Sequence, residues 1–218
     1  MIAINIIAVK AINTLAICIF NFKNSIFYRF LRFLTAALTI SALCAGLTGC
    51  GTLQTMSKVE EGAGETAMNL WNRWVTSGGD IAAATTWERK VKPGVTVADI
   101  EQVLASTATE HNMKAVGELP LSQELEMRTG QKQKFLKVYM YCNPATARLM
   151  VDFSPAMAAY LPCRLTVVEK DDGLWIYTLN MDMMVNMGRK LSPALREEAL
   201  KVRETIFQMM NRAADGEF

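Results

Sequence analysis

The chain has 218 residues, 51% of them hydrophobic, with 23 basic and 21 acidic side chains and a formal net charge of +2. This near balance leaves no basic patch, which excludes the electrostatic footprint of a nucleic-acid binder. A single histidine, His111, and five cysteines leave no histidine-based nucleophile set to assemble and no disulfide-rich scaffold.

Ile2 to Phe22 is apolar apart from Lys10, Asn13, Thr14 and Asn21, long enough to pass for a membrane-spanning helix. Tyr28 to Cys50 nevertheless forms a complete secretory signal by itself. Arg29 and Arg32 precede the apolar run Phe33 to Leu47, and small residues lead to a cleavage point. The natural start is therefore expected downstream of Met1, and the extra segment is assigned no function. Leu47-Thr48-Gly49-Cys50 resembles the lipobox of bacterial lipoproteins. That resemblance implies cleavage before Cys50, diacylglycerol on its thiol, and a mature protein anchored outside the cytoplasm. Each buried methylene of such an anchor contributes ~0.8 kcal/mol. An ordinary signal peptide or an uncleaved anchor is the alternative. Gly51 in place of an aspartate implies, by the sorting of enterobacterial lipoproteins, the outer membrane facing the periplasm.

The first 49 residues carry four basic side chains (Lys10, Lys23, Arg29, Arg32) and no acidic one. From Cys50 onward, 169 residues hold 19 basic against 21 acidic side chains, a net charge of −2. Three segments are expected: a leader over 1–49, a lipidated tether with an amphipathic helix over 50–84, and one folded domain over 85–218. Cys18 and Cys44 leave with the leader and Cys50 takes the lipid, so only Cys142 and Cys163 remain as thiols.

In the tether, Leu53, Met56, Val59, Ala63, Ala67, Leu70, Trp71 and Trp74 recur every three or four residues, the period of one helical face. Gly62 and Gly64 weaken this helix, and Ser77-Gly78-Gly79-Asp80 ends it. Trp71 and Trp74 suit either a membrane interface or a docking site on the domain, and docking is the expectation.

The domain opens with a strand over Thr86 to Val91 and a turn at Lys92-Pro93-Gly94. Thr96 caps a helix to about Asn112, with Val97, Ile100, Val103, Leu104 and Ala108 on one face. Lys114 to Leu119 reads as a short strand, and polar Pro120 to Gln133 as a helical turn and loop. Phe135 to Cys142, aromatic and branched with alternating faces, is the strongest strand. Asn143-Pro144 launches a helix to about Phe153, and Ser154-Pro155 a second short one to Tyr160. Cys163 to Glu169 and Leu174 to Asn180 form a hairpin around Asp171-Asp172-Gly173. Ser192-Pro193 opens the last helix, with Leu195, Ala199, Val202, Ile206, Met209 and Met210 toward the core. The expected class is α+β, two-layered, with a mixed sheet of about five strands packed with helices.

Tyr141-Cys142-Asn143-Pro144-Ala145-Thr146-Ala147 and Leu161-Pro162-Cys163-Arg164-Leu165, followed by the acidic hairpin Glu169 to Gly173, resemble the bacterial family called domain of unknown function 302. The likeness spans roughly Thr86 to Asn180. It implies a compact α/β domain, often dimeric, with these motifs clustered at one end and no settled activity.

Cys142 directly precedes a helix start, where free N–H groups and the helix dipole lower a thiol's pKa. If both cysteines lie at the same sheet end, they fall within bridging distance, with Cα atoms ~4.4–6.8 Å apart. Three readings stay open: a disulfide of ~3 kcal/mol, two inert thiols bracing a corner, and a working pair for redox or sulfur chemistry. The Met181-to-Met187 stretch, with Met140, Met150 and Met157, offers soft thioether ligands for Cu(I) but reads more simply as core filling. His111, Glu124/Glu126 and Glu197/Glu198 read as surface or capping residues. Arg164 is a candidate to hold an anion near the helix start. No metal set and no cofactor motif is expected. The candidate site is therefore Cys142, Asn143, Pro162, Cys163 and Arg164. It would serve an accessory module that binds a small ligand or a protein partner, with a homodimer also a candidate. A thiol-based redox or sulfur-handling protein and a purely structural envelope lipoprotein are the alternatives.

Overall fold

The computed structural model describes residues 32–35 and 58–218. It divides into two units, Met1–Ser57 and Lys58–Phe218. Of the first, residues 32–35 form one exposed helical turn, in which the Thr35 hydroxyl donates to the Arg32 carbonyl at 3.0 Å. Cys50, its lipobox, Leu53 and Met56 lie outside the described residues.

The second unit begins at Lys58, well before the residue 85 expected for the folded domain. The reason is local and covalently remote at once. Val59 bridges Arg189, the Lys190 N–H donates to the Lys58 carbonyl at 2.8 Å, and the buried Glu60 carboxylate receives Arg196 and the Leu191 N–H, both at 2.7 Å. Helix α1 (Ala63–Thr76) follows, held by its inner face. Asn186 donates to the buried Thr66 hydroxyl at 3.2 Å, and Arg73 donates to the Ala83 carbonyl at 2.8 Å. The short helix α2 (Ile81–Thr85) is capped by Asp80. The segment read as a tether thus belongs, from Lys58 on, to the compact body.

β1 (Thr86–Lys90) then leads to α3 (Val97–Glu110), whose start is a complete capping box between Thr96 and Asp99. β2 (Lys114–Leu119) is followed by a nine-residue helix α4 (Leu121–Thr129), where sequence suggested only a helical turn. No residue of α4 is buried, so it carries no apolar stripe from which to read a helix. β3 (Leu136–Cys142), α5 (Pro144–Phe153), a 3-10 turn at Pro155–Tyr160, β4 (Cys163–Lys170) and β5 (Gly173–Leu179) come next. Gly173 sits at φ 118° in the hairpin turn, a region that side chains other than glycine's avoid. Asn180 caps α6 (Met181–Asn186), and Ser192 caps the 23-residue α7 (Pro193–Asp215).

The five strands described form one sheet in the order β1-β5-β4-β3-β2. The class is α+β as expected, but the sheet is antiparallel throughout rather than mixed. A parallel pair would require a crossover to the opposite end of the sheet. Instead α5 and the 3-10 turn run out and back to the end they left, so Tyr141 faces Cys163 across the β3–β4 pair.

Helices α3 and α7 pack on one face of this sheet. Ile100, Val103 and Leu104 meet Ile206 and Met209 over Tyr139, Leu165, Val167 and Ile176, all essentially without solvent contact. Burying each such aliphatic chain stabilises by about 1.5–3 kcal/mol. A second, smaller cluster of Val185, Leu191 and Ala199 ties α6 and the following loop to α7.

Candidate functional site

The C-terminal end of β3 delivers Cys142 directly into the start of α5. Asn143 terminates the strand because its side chain satisfies the first turn of the helix. Its Oδ1 accepts from the Ala145 and Thr146 N–H groups at 3.1 and 3.2 Å. Pro144 takes the first helical position, where a missing N–H costs nothing. The chain returns through the 3-10 turn and a cis Leu161–Pro162 bond to Cys163, the first residue of β4.

The space enclosed by this excursion is a pocket of about 90 Å³. Cys142, Asn143, Pro162, Cys163 and Arg164 all line it. The remaining wall comes from Thr146, Ala147 and Met150 of α5, Met157, Tyr160 and Leu161 of the return segment, Thr178 and Leu179 of β5, Met181, Met184 and Val185 of α6, and Ala199 and Val202 of α7. The wall is predominantly apolar. Thr178 spends its hydroxyl on the Arg164 carbonyl at 2.7 Å, and buried Thr146 bonds Glu198 at 3.4 Å. Arg164 is exposed and makes no ion pair among the described residues.

Both cysteines are free thiols, and their electrostatics run against the expectation from the helix start. Burial pushes the Cys142 thiol above its ordinary value, and it pushes Cys163 up to about 11, with Cys142 as a neighbouring negative group adding to the rise. Desolvation disfavours the charged thiolate, and the Ala145 and Thr146 N–H groups at the helix start already donate to Asn143 Oδ1.

Met150, Met157, Met181 and Met184 share the pocket wall with the two thiols, whereas Met140 lies in β3 outside the pocket. Among the described residues no group of three or more His, Cys, Asp and Glu side chains is placed to hold a metal ion. His111 is the exposed C-cap of α3. Glu124 pairs with Arg128 at 3.7 Å, Glu126 accepts from the Gln133 N–H at 2.8 Å, and Glu197 and Glu198 both pair with Lys201 at 2.9 Å. These carboxylates serve surface pairing.

Sequence reasoning did not single out Tyr160, Thr178 or Thr146 as pocket residues. Thr146 sits three residues after the cap, so the motif carried a signal for it. Thr178 had only strand alternation, and Tyr160 had none. A polar cluster also went unseen. Lys137 lies 2.7 Å from both Glu101 and Glu118, and the buried Tyr139 hydroxyl donates to Glu101 at 2.8 Å. Burial alone would raise the Glu101 carboxyl, but hydrogen bonds from Lys137 and Tyr139 outweigh it and hold it below its ordinary value.

A family model described as domain of unknown function DUF302 matches residues 87–213, which takes in α7 beyond the span of the sequence motifs. Among solved structures, the chain is similar to an uncharacterized conserved DUF302 protein from Bacillus stearothermophilus. The two are 18% identical, and the alignment covers 59% of this chain and 98% of the other at a TM-score of 0.48. No curated protein matches the chain. With the family model covering more than half of its length, this chain belongs to the DUF302 family.

Proposed function

We propose that this protein is an envelope lipoprotein whose DUF302 domain binds a small apolar molecule in the pocket between Cys142 and Cys163. The observation that carries this reading is the convergence of five motif residues, from the two ends of the excursion between β3 and β4, on one apolar concavity. Ligand sites are concave, mostly apolar and few per protein. The thioethers of Met150, Met157, Met181 and Met184 favour an adaptable site, because methionine repacks around differently shaped guests. The lipobox-like Leu47-Thr48-Gly49-Cys50 supports placement on a membrane, with the domain outside the cytoplasm. In this reading the thiols are wall atoms, held protonated by burial, and the protein is an accessory binder.

The test is isothermal titration calorimetry with benzene, an apolar guest small enough for a pocket of this size. The native protein is expected to show saturable binding of one probe per chain. Ala147→Phe, which fills the pocket from α5, is expected to weaken it at least tenfold while leaving the circular dichroism spectrum unchanged. Equal affinity in the two proteins would place the probe elsewhere and remove the pocket from the proposal.

The redox alternative draws support only from the proximity of the two thiols. A Cys142–Cys163 disulfide that forms and reduces reversibly at a potential near the envelope's poise would favour it over ligand binding.

A further inference from the structure

Helix α1 carries a second apolar face that its packing does not use. Its inner face, Ala63, Thr66, Leu70 and Arg73, is turned to the body of the domain. Adjoining it, about a third of a turn around the helix, Met68 is 58% exposed, Trp71 59%, Trp74 37% and Val75 55%, and Ile81 just beyond the helix is 66% exposed. At 100° per residue, Ala67, Met68, Trp71, Trp74 and Val75 form one continuous stripe, with Glu65, Asn69 and Asn72 along its edge. Trp71 and Trp74 lie against each other with centroids 5.2 Å apart, and the Trp74 indole N–H is satisfied by the Gly79 carbonyl at 2.8 Å. A soluble surface rarely keeps two indoles, a methionine, a valine and an isoleucine together in water.

We infer that this stripe lies on the lipid surface to which Cys50 is attached, making α1 an interfacial helix that sets the domain's orientation on the membrane. The inference rests on the lipid anchor proposed above. Only seven residues, 51–57, separate Cys50 from Lys58, where the compact body starts. Even fully extended, the chain from Cys50 to Lys58 reaches about 28 Å. The domain is therefore confined near the bilayer, and α1, five residues further on, is the first helix of that body. Indole rings are favoured at the boundary between headgroups and acyl chains, and an amphipathic helix there buries its apolar face ~5–10 Å deep. Because the inner face is already engaged by Asn186 and Ala83, the outer stripe is free for lipid without unfolding α1.

The experiment uses the full chain, purified from membranes and reconstituted into vesicles of phosphatidylethanolamine and phosphatidylglycerol with brominated acyl chains. Tryptophan emission reads depth, and the mass of the N-terminal peptide reads acylation. The native protein is expected to be quenched. Trp71→Ser with Trp74→Ser is expected to lose most of that quenching, since of the other two indoles Trp87 is buried in the core and Trp175, half-buried on β5, is covered by Lys170 with its Nζ 3.9 Å from the ring centroid. Trp71→Asp alone, at an exposed position, keeps the test valid if the double variant does not fold; it is expected to lose the share owed to Trp71 and to lower the quenching of Trp74. An acylated protein without quenching would overturn the docking and leave the anchor standing. An unacylated protein would overturn the anchor; docking would then survive only if vesicles added to it still quench. Shielding that depends on protein concentration and not on lipid would assign the stripe to a second copy and overturn the inference.

Discussion

Glu60 and Arg196 lie 136 positions apart in sequence and form an ion pair of 2.7 Å, with the Glu60 side chain only 2% exposed. The second carboxylate oxygen takes the Leu191 N–H, so the start of the compact body is stitched to the start of α7. Glu60→Ala would leave Arg196 half-buried without its partner and the Leu191 N–H unsatisfied. The expected loss is about 2–4 kcal/mol, read as a lower urea midpoint at an unchanged slope. Hydrogen exchange in α1 should rise as well. An unchanged midpoint would mean that the pair contributes nothing net.

The Asn143 cap makes a separate prediction. Asn143→Ala is expected to cost about 1 kcal/mol of stability. It also vacates the Ala145 and Thr146 N–H groups beside Cys142. The Cys142 thiol should then titrate lower, and its alkylation by iodoacetamide at neutral pH should speed up. Unaltered alkylation would show that burial alone sets this thiol.

Thiol burial gives stability a definite dependence on pH. Cys163 rises from an ordinary 9.0 to about 11 in the folded protein, and Tyr141 from 10.0 to about 12. Below pH 9 these groups are protonated in both folded and unfolded chains, so their contribution is fully present. Between pH 9 and 12 the unfolded chain gives up protons that the folded chain retains, and stability is lost as pH rises. The urea midpoint should therefore be level from pH 7 to 8.5 and decline steadily above. Native Cys163 should also alkylate on the order of 100-fold more slowly than in the denatured chain. A midpoint that stays level to pH 11 would contradict this.

Lys137 holds Glu101 and Glu118 together at 2.7 Å each. Lys137→Met is expected to destabilise by about 1–3 kcal/mol and to raise the Glu101 pKa. The loss should shrink as pH falls and the Glu101 carboxylate protonates. Denaturation of both proteins at pH 7 and pH 4 checks it: an equal difference at the two pH values would rule out that carboxylate as the cause.

Several elements were readable directly because their signals are local. Thr96 with Asp99, Asn143 with Pro144, and Ser192 with Pro193 mark helix starts through caps that act within three residues. Alternation in Phe135 to Cys142 marked β3 through the two-residue period of a strand. Helix α6 was missed although Asn180 caps it, because a six-residue helix shows less than two turns of pattern. The candidate site was legible as residues but not as a pocket. Cys142 and Cys163 sit at motif positions, while Thr178, Met184 and Val202 reach them from β5, α6 and α7.

By itself, then, the sequence determined the α+β class, the starts of α3, α5 and α7, and the motif ends of β3 and β4, all of which depend on neighbours within a few residues. Only the tertiary structure decided that every strand pairs antiparallel, that the body begins at Lys58, that the thiols are raised rather than lowered, and that Trp71 faces outward. Each of these is set by contacts between segments tens of residues apart, whose strength depends on burial, and burial exists only once the chain has closed on itself.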